Sequence, residues 1–325
     1  MLRNALLYLS NQQQVFNFIR HNSLAKGFAN RFVAGETVES ALDAVAALNG
    51  RGITASLDLL GESTTNESEA REAQRQYLEI LDRIHERKLD ANVSLKLTAM
   101  GMDISEDLCV TIVQGILDRA RDYGNFVRLD MESSDYTERT LRMFEDRLYP
   151  AYPAHVGIVL QSYLRRTEAD VRRANELRAR VRICKGAYKE PPTVAFPDKA
   201  DVDANYVRCM KTLMSEGHYP GLATHDERII EEAKRYAKEQ GIGSDRYEFQ
   251  MLYGVRRDLQ EQLVREGYRM RCYVPFGTQW YPYLMRRLAE RPANVAFMTG
   301  SILKEAIGSR RNRGARGNGT RSAAR

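Results

Sequence analysis

Two adjacent arginines near the end of the chain have the type and spacing needed to bind a carboxylate. In WYPYLMRRLAER (280–291), Tyr283, Arg286, Arg287 and Glu290 recur at i, i+3, i+4 and i+7, so a helix would present them on one face. Paired guanidinium groups bind a carboxylate through two parallel hydrogen bonds, and Glu290 could hold one of them by an ion pair. The alternative is a solvated charged face. The tyrosine and the position directly after the last predicted strand favour a ligand site.

Two charged residues interrupt otherwise apolar strands. Lys96 lies in VSLKLT and Asp130 in FVRLDM. A charge in such a strand must be paired, be solvated in a cavity or be neutralised by a pKa shift. The sequence therefore predicts a structural Lys96–Asp130 ion pair, a pocket for a zwitterionic ligand, or both together.

The segment RICKGAY combines cations with small residues. Gly186 and Ala187 would let a ligand approach the backbone closely. Arg182 and Lys185 suit phosphates or a negatively charged reduced flavin, and the alternative is that they pair with nearby acids. His225 ends the run ATHD as a lone histidine, and no HxH or HExxH spacing supports a metal site.

Strand-like runs alternate with amphipathic helical stretches, which is typical of parallel βαβ units. The predicted strands are 53–60, 91–98, 125–131, 155–163, 180–188, 221–226, 247–252 and 268–275. Eight such units predict an α/β protein with a (βα)8 TIM-like barrel. A doubly wound open sheet is the alternative, but the GxGxxG loop it would favour does not occur.

Nearly every predicted strand carries a polar residue that we expect at one end of the barrel, the mouth formed by the carboxyl ends of the strands. These residues are Asp58, Glu62, Lys96, Asp130, Glu132, Gln161, Arg182, Lys185, Thr224, His225, Glu248, Gln250 and Tyr273. Such a concentration predicts a large polar site at the mouth.

The chain divides into three predicted parts. Residues 1–50 form an N-terminal helical segment, 51–302 the catalytic barrel, and 303–325 an Arg-rich disordered tail. The net charge of +6 equals the six arginines of the last sixteen residues, so the remainder is near neutral. Four scattered cysteines and the lack of a long apolar run predict a cytoplasmic protein, with the tail offering a contact to the inner face of a membrane.

Several of these motifs resemble, in order, the catalytic domain of the proline dehydrogenase family. The stretches that carry the resemblance span roughly 90–298. They are VSLKLTAMG, VRLDMESSDYTE, GIVLQSYLRRTEADV, VRICKGAYKEPP, LATHDERII, YEFQMLYGVRRDL, YRMRCYVPFGTQWYPYLMRRLAER and NVAFM. The chain length is similar to that of the monofunctional bacterial type, and the motifs are also those of bifunctional proline utilisation proteins.

The resemblance implies a distorted (βα)8 barrel with extra N-terminal helices, a last helix over the mouth, and FAD bound non-covalently at the strand ends. It implies oxidation of L-proline to 1-pyrroline-5-carboxylate, the first step of proline catabolism to glutamate, with hydride transfer from proline C5 to flavin N5. It also implies that the electrons pass to a membrane quinone, and it raises a pyrroline-5-carboxylate dehydrogenase as a further partner.

Matching the family motifs assigns roles to individual positions. Arg286 and Arg287 match the pair that clamps the proline carboxylate, and Glu290 matches the acid that steadies them. The remaining substrate-site positions are Lys96, Asp130, Tyr273 and Tyr283. The flavin contacts match Gln161, Arg182, Lys185, Gly186, Ala187, Tyr188, Thr224, His225 and Gln250. Lys189 departs from the aromatic residue of bifunctional relatives, and Glu62 matches the family's acidic gate residue weakly.

Three alternatives remain at this stage. A hydroxyproline dehydrogenase would tend to carry a smaller residue than Tyr273. A barrel aldolase would use Lys96 as a Schiff base. A nucleic-acid binder would act through the Arg-rich tail, but it would leave the polar barrel mouth unexplained, so we expect no nucleic-acid partner.

Overall fold

Parallel strands and helices alternate along the chain, as the sequence predicts. The computed structural model describes residues 31–280 and residue 283. Within those residues, eight strands pair in sequence order and β1 also pairs with β8, which closes the sheet into a barrel. The strands are β1 Thr54–Leu59, β2 Ala91–Leu95, β3 Val127–Leu129, β4 Val156–Gln161, β5 Arg180–Cys184, β6 Gly221–Ala223, β7 Glu248–Leu252 and β8 Met270–Phe276.

Helices surround the barrel. They are α1 Val38–Asn49, α2 Glu67–Glu86, α3 Glu106–Asp122, α4 Ser134–Arg142, α5 Thr167–Glu176, α6 Lys199–Glu216, α7 Glu227–Gln240 and α8 Arg257–Arg265. One helix follows each strand from β1 to β7, and α4 continues into a π-helical turn, Met143–Leu148. Helix α1 precedes the barrel and packs against β1, β8 and α2. It therefore fills the position in the outer ring between the last strand and the first.

Helix α2 shows how the sequence sets these elements. Its N-cap, Asn66, accepts a hydrogen bond from the Glu69 backbone N–H at 3.0 Å, which satisfies one of the free donors of the first turn. Apolar residues at helical spacing, including Leu81, are buried against the barrel. The Tyr77 hydroxyl donates to the Ser94 carbonyl oxygen at 2.7 Å, which fixes the helix against β2.

The strands alternate with a period of two between an apolar outer face and a polar inner face. Outward residues such as Val93, Leu129 and Phe249 are buried beneath the helices. Residues of the opposite parity interact across the barrel interior. They are Ser56, Asp58, Ser94, Lys96, Arg128, Asp130, Arg182, Glu248, Gln250, Arg271 and Tyr273. Much of the interior is therefore a hydrogen-bonded polar network in place of layered aliphatic side chains.

Two glycines make room for long side chains inside the barrel. A Cβ added at Gly157 would lie 2.7 Å from Arg128 Nη1, and one added at Gly221 would lie 2.4 Å from Gln250 Nε2. The space next to β4 and β6 is thus occupied by side chains that reach across from other strands.

Stacked arginine and aromatic side chains cover the amino-terminal end of the barrel. The Arg180 guanidinium carbon lies 4.5 Å from the ring centre of Phe126 and 4.7 Å from that of Tyr219. Arg128 lies 4.8 Å from the Phe126 ring centre, and Arg269 lies 5.4 Å from that of Tyr219. These distances are in the range of cation–π contacts. We call these five residues the basal stack.

The structure corrects some sequence predictions. The run predicted as a strand at 180–188 ends at Cys184, and the run at 91–98 ends at Leu95, because polar mouth residues leave the ladder there. Glu248, predicted at the mouth, is the first residue of β7 and lies at the amino-terminal end.

Some predictions concern residues that the structure does not describe. Helix α1 lies in the segment 1–50 predicted to be helical, whose first thirty residues are outside the described part. The tail 303–325, and the predicted last helix 280–291 apart from residues 280 and 283, are also outside it. No helix among the described residues combines the length and apolarity required to cross a bilayer.

Candidate active site

Charged and aromatic side chains meet at the carboxyl ends of five strands. Lys96 Nζ lies 3.2 Å from Asp58 Oδ1. Arg182 Nη1 donates to Asp130 Oδ1 at 2.7 Å, and the Tyr273 hydroxyl donates to Asp130 Oδ2 at 2.7 Å. The Arg182 guanidinium carbon also lies 5.2 Å from the Tyr273 ring centre. We call these five residues the mouth cluster. Both of its ion pairs are largely buried, which strengthens their electrostatic interaction relative to a surface pair.

The predicted Lys96–Asp130 ion pair does not form. Lys96 pairs with Asp58, which lies on the neighbouring strand β1, while Arg182 and Tyr273 occupy the two carboxylate oxygens of Asp130. The parallel register brings Asp58 beside the end of β2, because Asp58 pairs with Ser94 across the ladder. Lys96 and Asp130 still belong to one cluster, in which the Asp130 charge acts on the Lys96 amine.

Electrostatics keep the Lys96 amine protonated. Burial alone would lower its pKa, but the negative charges of Asp58 and Asp130 outweigh burial and raise the pKa of Lys96 well above its usual value. A Schiff-base lysine must be a neutral amine to attack a carbonyl. The environment of Lys96 therefore argues against the aldolase alternative.

Arg182 has hydrogen-bond acceptors on several sides of its guanidinium group. Besides Asp130, its Nε donates to Gln250 Oε1 at 2.5 Å. Its Nη2 donates to Ser94 Oγ at 3.1 Å and to Ser56 Oγ at 3.4 Å. This set of acceptors holds the guanidinium at one place, just inside the mouth.

Hydrogen bonds also tie the loops at the mouth to one another. Thr98 Oγ1 donates to Glu132 Oε2 at 2.7 Å, and Gln161 Nε2 donates to the Glu132 carbonyl oxygen at 2.8 Å. Burial raises the pKa of Glu132, which the bonds from Thr98 oppose. The ends of β2, β3 and β4 are thereby held together around the predicted cofactor contact Gln161.

The loop after β5 has one cation and one glycine in a demanding conformation. Lys185 Nζ lies 2.6 Å from Asp203 Oδ1 and 2.9 Å from Asp226 Oδ2, so two carboxylates hold it. Gly186 has a φ of +100°, and a Cβ there would lie 2.2 Å from a carbon of the Tyr163 ring. Only glycine fits that turn without strain. Its neighbours Ala187 and Tyr188 are half-buried, and Tyr188 packs near Tyr163.

The end of β6 presents two more of the predicted cofactor contacts. The Thr224 hydroxyl accepts a hydrogen bond from the Asp226 backbone N–H at 3.1 Å. His225 Nε2 accepts from the Leu252 backbone N–H at 2.9 Å. A ring nitrogen that accepts is unprotonated, so a neutral His225 has its proton on Nδ1.

Gln250 is another predicted cofactor contact, and its side chain bonds Arg182. It lies in the middle of β7, and both ends of its amide are bonded inside the barrel. The carbonyl accepts from Arg182, and Nε2 donates to Glu248 Oε1 at 2.6 Å.

The segment after β8 is described only in part. Tyr283 is buried. The pKa of the Tyr273 hydroxyl is strongly raised, first by burial, then by the charges of Asp130 and Asp58, and then by the nearby Tyr283. The Trp280 indole N–H donates to Glu36 at 2.9 Å. Arg286, Arg287 and Glu290 lie outside the described residues.

Sequence reasoning gave no role to several residues that organise the site. These are Ser56 and Ser94, which accept hydrogen bonds from Arg182, and Arg271, whose Nε lies 2.7 Å from Glu248 Oε1 in a buried ion pair. A usable signal was present, because each of these three residues lies an even number of positions from a predicted mouth residue on its own strand, and so on the same face.

Taken together, the closed parallel barrel and the mouth cluster define a (βα)8-barrel protein with a buried, charged site at the carboxyl ends of its strands. A family model described as proline dehydrogenase matches residues 41–300. The chain belongs to the proline dehydrogenase family.

Individual relatives agree with this assignment. The chain is 44% identical to a proline dehydrogenase of Deinococcus radiodurans over 94% of this chain and 98% of that protein. It is 42% identical to proline dehydrogenase 1 of Bacillus subtilis (strain 168), over 94% of this chain and all of that protein. A crystal structure of proline utilization A from Bdellovibrio bacteriovorus, inactivated by N-propargylglycine, superposes with a TM-score of 0.76 at 29% identity. That match covers 81% of this chain and 32% of the larger protein.

Proposed function

We propose that this chain oxidises L-proline to 1-pyrroline-5-carboxylate, with FAD bound at the mouth of the barrel as electron acceptor. The observation that carries the proposal is the mouth cluster, in which Arg182 and Lys96 bring two positive charges to the strand ends of a proline dehydrogenase family member. One cation suits a cofactor that gains negative charge on reduction, and the other suits an amino-acid carboxylate.

The residues at the mouth fit a flavin nucleotide. Gly186 lets the turn after β5 pack directly against the Tyr163 ring, where a Cβ would collide, and we assign the backbone of this turn to contacting the cofactor. Arg182 supplies a fixed positive charge, and Thr224 and His225 present polar groups just after the end of β6. The Lys185 charge is balanced by Asp203 and Asp226, so we assign Lys185 to holding the loop shape as well as to contacting the cofactor.

FAD, when bound, would supply the two-electron acceptor for the reaction. L-Proline loses a hydride from C5 and a proton from its nitrogen, and a C=N bond forms between those two atoms. The described residues bind and orient. Lys96, held protonated by Asp58, provides positive charge and hydrogen-bond donors to the amino acid. We assign Tyr273 and Tyr283, which lie close to each other, to limiting the space for its ring.

We assign the carboxylate clamp to Arg286 and Arg287, steadied by Glu290, on the sequence evidence. The two guanidinium groups would fix the end of proline opposite C5 and so reduce the entropy lost on reaching the reactive geometry. Replacing either arginine by alanine is expected chiefly to raise KM for proline. An unchanged KM in both variants would remove the clamp from the proposal.

The proposal extends to the partners that the chemistry requires. A reduced flavin must be reoxidised, and we propose a membrane quinone as the acceptor and a pyrroline-5-carboxylate dehydrogenase as the consumer of the product. Transfer of electrons from proline to a soluble quinone analogue under anaerobic conditions tests the first of these. Binding of the purified protein to anionic vesicles tests a peripheral contact with the membrane.

Hydroxyproline is the second candidate substrate. A hydroxyl on the ring would need space and a hydrogen-bond partner near Tyr273, but the Tyr273 hydroxyl already donates to Asp130 and the residue is half-buried. We therefore expect turnover of proline to exceed that of hydroxyproline.

The visible spectrum of the purified protein tests the function. We expect flavin absorbance that bleaches when proline is added without oxygen, with appearance of the cyclic imine product. A colourless protein that cannot be loaded with FAD would exclude the proposed cofactor. A flavin that hydroxyproline bleaches faster than proline does would exclude the proposed substrate.

A further inference from the structure

We propose that Gln250 and Glu248 are positioning residues that set the place and orientation of Arg182 from below the active site. The inference rests on the proposed function where it gives Arg182 a role toward the cofactor. It assigns to these two residues a function in the barrel interior, one and two layers beneath the mouth.

The first step is the contact between Gln250 and Arg182. The Nε donor of Arg182 bonds Gln250 Oε1 at 2.5 Å, while Nη1 bonds Asp130 at 2.7 Å. Both residues are nearly fully buried. A guanidinium group held at Nε and at Nη1 can neither rotate in its plane nor swing toward the opening.

The second step is the orientation of the Gln250 amide. Arg182 can only donate, so the Gln250 atom facing it must be the carbonyl oxygen. The amide nitrogen then faces Glu248, whose Oε1 accepts from it at 2.6 Å. An ionised carboxylate only accepts, so Glu248 excludes the flipped amide. Glu248 thereby selects the one rotamer in which Gln250 accepts a bond from Arg182.

The third step is what keeps Glu248 ionised. Arg271 Nε lies 2.7 Å from Glu248 Oε1, and Arg271 Nη1 also donates to the Ala55 carbonyl oxygen at 2.7 Å. Arg271, Glu248, Gln250, Arg182 and Asp130 thus form a continuous chain of hydrogen bonds from the base of the barrel to its mouth. We call this chain the axial relay.

Gly221 gives independent evidence that the Gln250 amide fills the space beside β6. It lies on β6 next to β7, and an added Cβ would lie 2.4 Å from Gln250 Nε2 and 3.0 Å from Cδ. The clash falls on the far end of a flexible side chain, so the barrel can accept alanine there if the amide moves. Gly221→Ala is therefore a way to disturb the relay without altering any charge.

The experiment uses the full chain, labelled with 15N-arginine and purified with and without added FAD. The Arg182 Nε–H signal is identified by its loss in Arg182→Lys. In the wild type we expect a signal that exchanges slowly with solvent because the proton is bonded to Gln250. In Gly221→Ala and in Gln250→Leu we expect a shifted signal that exchanges at least about tenfold faster.

The second readout is the reduction potential of the bound flavin. A displaced Arg182 would stabilise the reduced cofactor less. If the ratio of affinities for reduced and oxidised flavin falls about tenfold, the two-electron potential falls by about 30 mV. A change that only loosened packing would lower thermal stability without moving the potential in the same direction in both variants.

Gly115→Ala is the matched control. Its added Cβ would lie 2.5 Å from Gln74 Nε2, which displaces another glutamine amide by a similar clash. Gln74 donates to the Ile112 carbonyl oxygen between α2 and α3, on the outside of the barrel. We expect this variant to keep both the wild-type Arg182 signal and the wild-type potential.

The outcomes separate this inference from the proposed function. An Arg182 signal that is unchanged in both Gly221→Ala and Gln250→Leu overturns the relay whether or not flavin is bound. So does an unchanged potential in flavin-loaded variants whose signal has moved. A shifted signal in a protein that cannot be loaded with flavin supports the relay and contradicts the proposed function.

Discussion

Asp130 is the residue on which the mouth cluster converges. Its two carboxylate oxygens accept from Arg182 and from Tyr273, so one negative charge orders a cation and an aromatic ring at the same time. Bonds to a charged acceptor are stronger than bonds between neutral groups. The charge of Asp130, more than its shape, is therefore expected to determine the geometry of the site.

Asp130→Asn tests this expectation. The variant keeps the size of the side chain but loses its charge, and one of its two terminal atoms becomes a donor. We expect kcat/KM for proline to fall roughly 10- to 100-fold, the loss of one or two charged hydrogen bonds, while flavin content stays near that of the wild type. Steady-state kinetics with flavin quantification measures both quantities.

Asp82→Asn is the control for that change. Asp82 on α2 also accepts from one arginine and one tyrosine, Arg119 and Tyr123, but on the outer surface. Its replacement is expected to leave kcat/KM within about twofold of the wild type, since it lies away from the mouth. Equal losses in the two variants would mean that the effect of Asp130 is general and not specific to the site.

Glu248 links stability to pH. Burial alone would raise its pKa, but Arg271 and the bond from Gln250 outweigh burial and lower it to about 2, from 4.5 for a free side chain. A depressed pKa in the folded state stabilises the protein above the unfolded-state pKa. That contribution is lost as the pH falls from about 5 toward 2, and it amounts to roughly 3 kcal/mol.

Urea unfolding between pH 7 and pH 3 measures this contribution. We expect the unfolding free energy of the wild type to fall more steeply below pH 5 than that of the double variant Glu248→Leu/Arg271→Met, which removes both charges. The double replacement avoids a lone buried charge, which would be strongly destabilising by itself. Parallel pH profiles for the two proteins would show that Glu248 does not titrate as described.

Among the secondary-structure elements, the loop after β5 depends most on one residue type. Gly186→Ala would place a Cβ against the Tyr163 ring at a φ of +100°, and such backbone strain costs about 1–3 kcal/mol. We expect the loop to rearrange and the affinity for the proposed cofactor, FAD, to fall at least about tenfold, measured by flavin titration of the apoprotein. Gly241→Ala is the control, because Gly241 also has a positive φ, +65°, at the end of α7, but an added Cβ meets nothing within 4 Å. That variant is expected to bind FAD like the wild type.

Helix α1 acts as part of the barrel shell although it precedes β1. Leu42 and Val45 are fully buried, and the helix packs on the strands that close the barrel. We expect Leu42→Ala to lower the unfolding free energy by about 2–5 kcal/mol, as for a core leucine. Glu39→Ala, at an exposed position of the same helix, is expected to change it by less than about 0.5 kcal/mol. Similar values for both, measured by urea unfolding, would show that α1 is not part of the folded core.

For the whole molecule, the sequence predicts the order of elements better than the contacts between them. Eight strand-like runs and the absence of a GxGxxG loop were enough to predict the closed barrel. The period of two within a strand also indicates which side chains share a face, such as Asp58 and Ser56. It could not show that Lys96 pairs with Asp58, because that pairing depends on the register between β1 and β2.

The sequence also could not predict how far along the barrel axis each residue lies. Glu248 and Gln250 belong to one predicted strand, but whether such a residue reaches the mouth depends on where the strand begins in the closed sheet. The family resemblance supplied roles for mouth residues. It gave no information about the hydrogen bonds in the barrel interior that hold those residues in place. Those bonds come from long side chains of separate strands that meet only after the sheet has closed.

The basal stack has a consequence for transport. Phe126, Arg180 and Tyr219 stack with Arg128 and Arg269 at the lower end of the barrel, so we expect solvent and solutes to enter through the mouth. Substrate arrival, product departure and discharge of the released proton must then share one entrance. An electron acceptor that uses the same entrance could bind only after the imine has dissociated. Initial velocities measured while proline and the electron acceptor are both varied should accordingly give parallel lines in double-reciprocal plots. High proline concentrations should inhibit, because a second proline molecule would enter the mouth before the electron acceptor does.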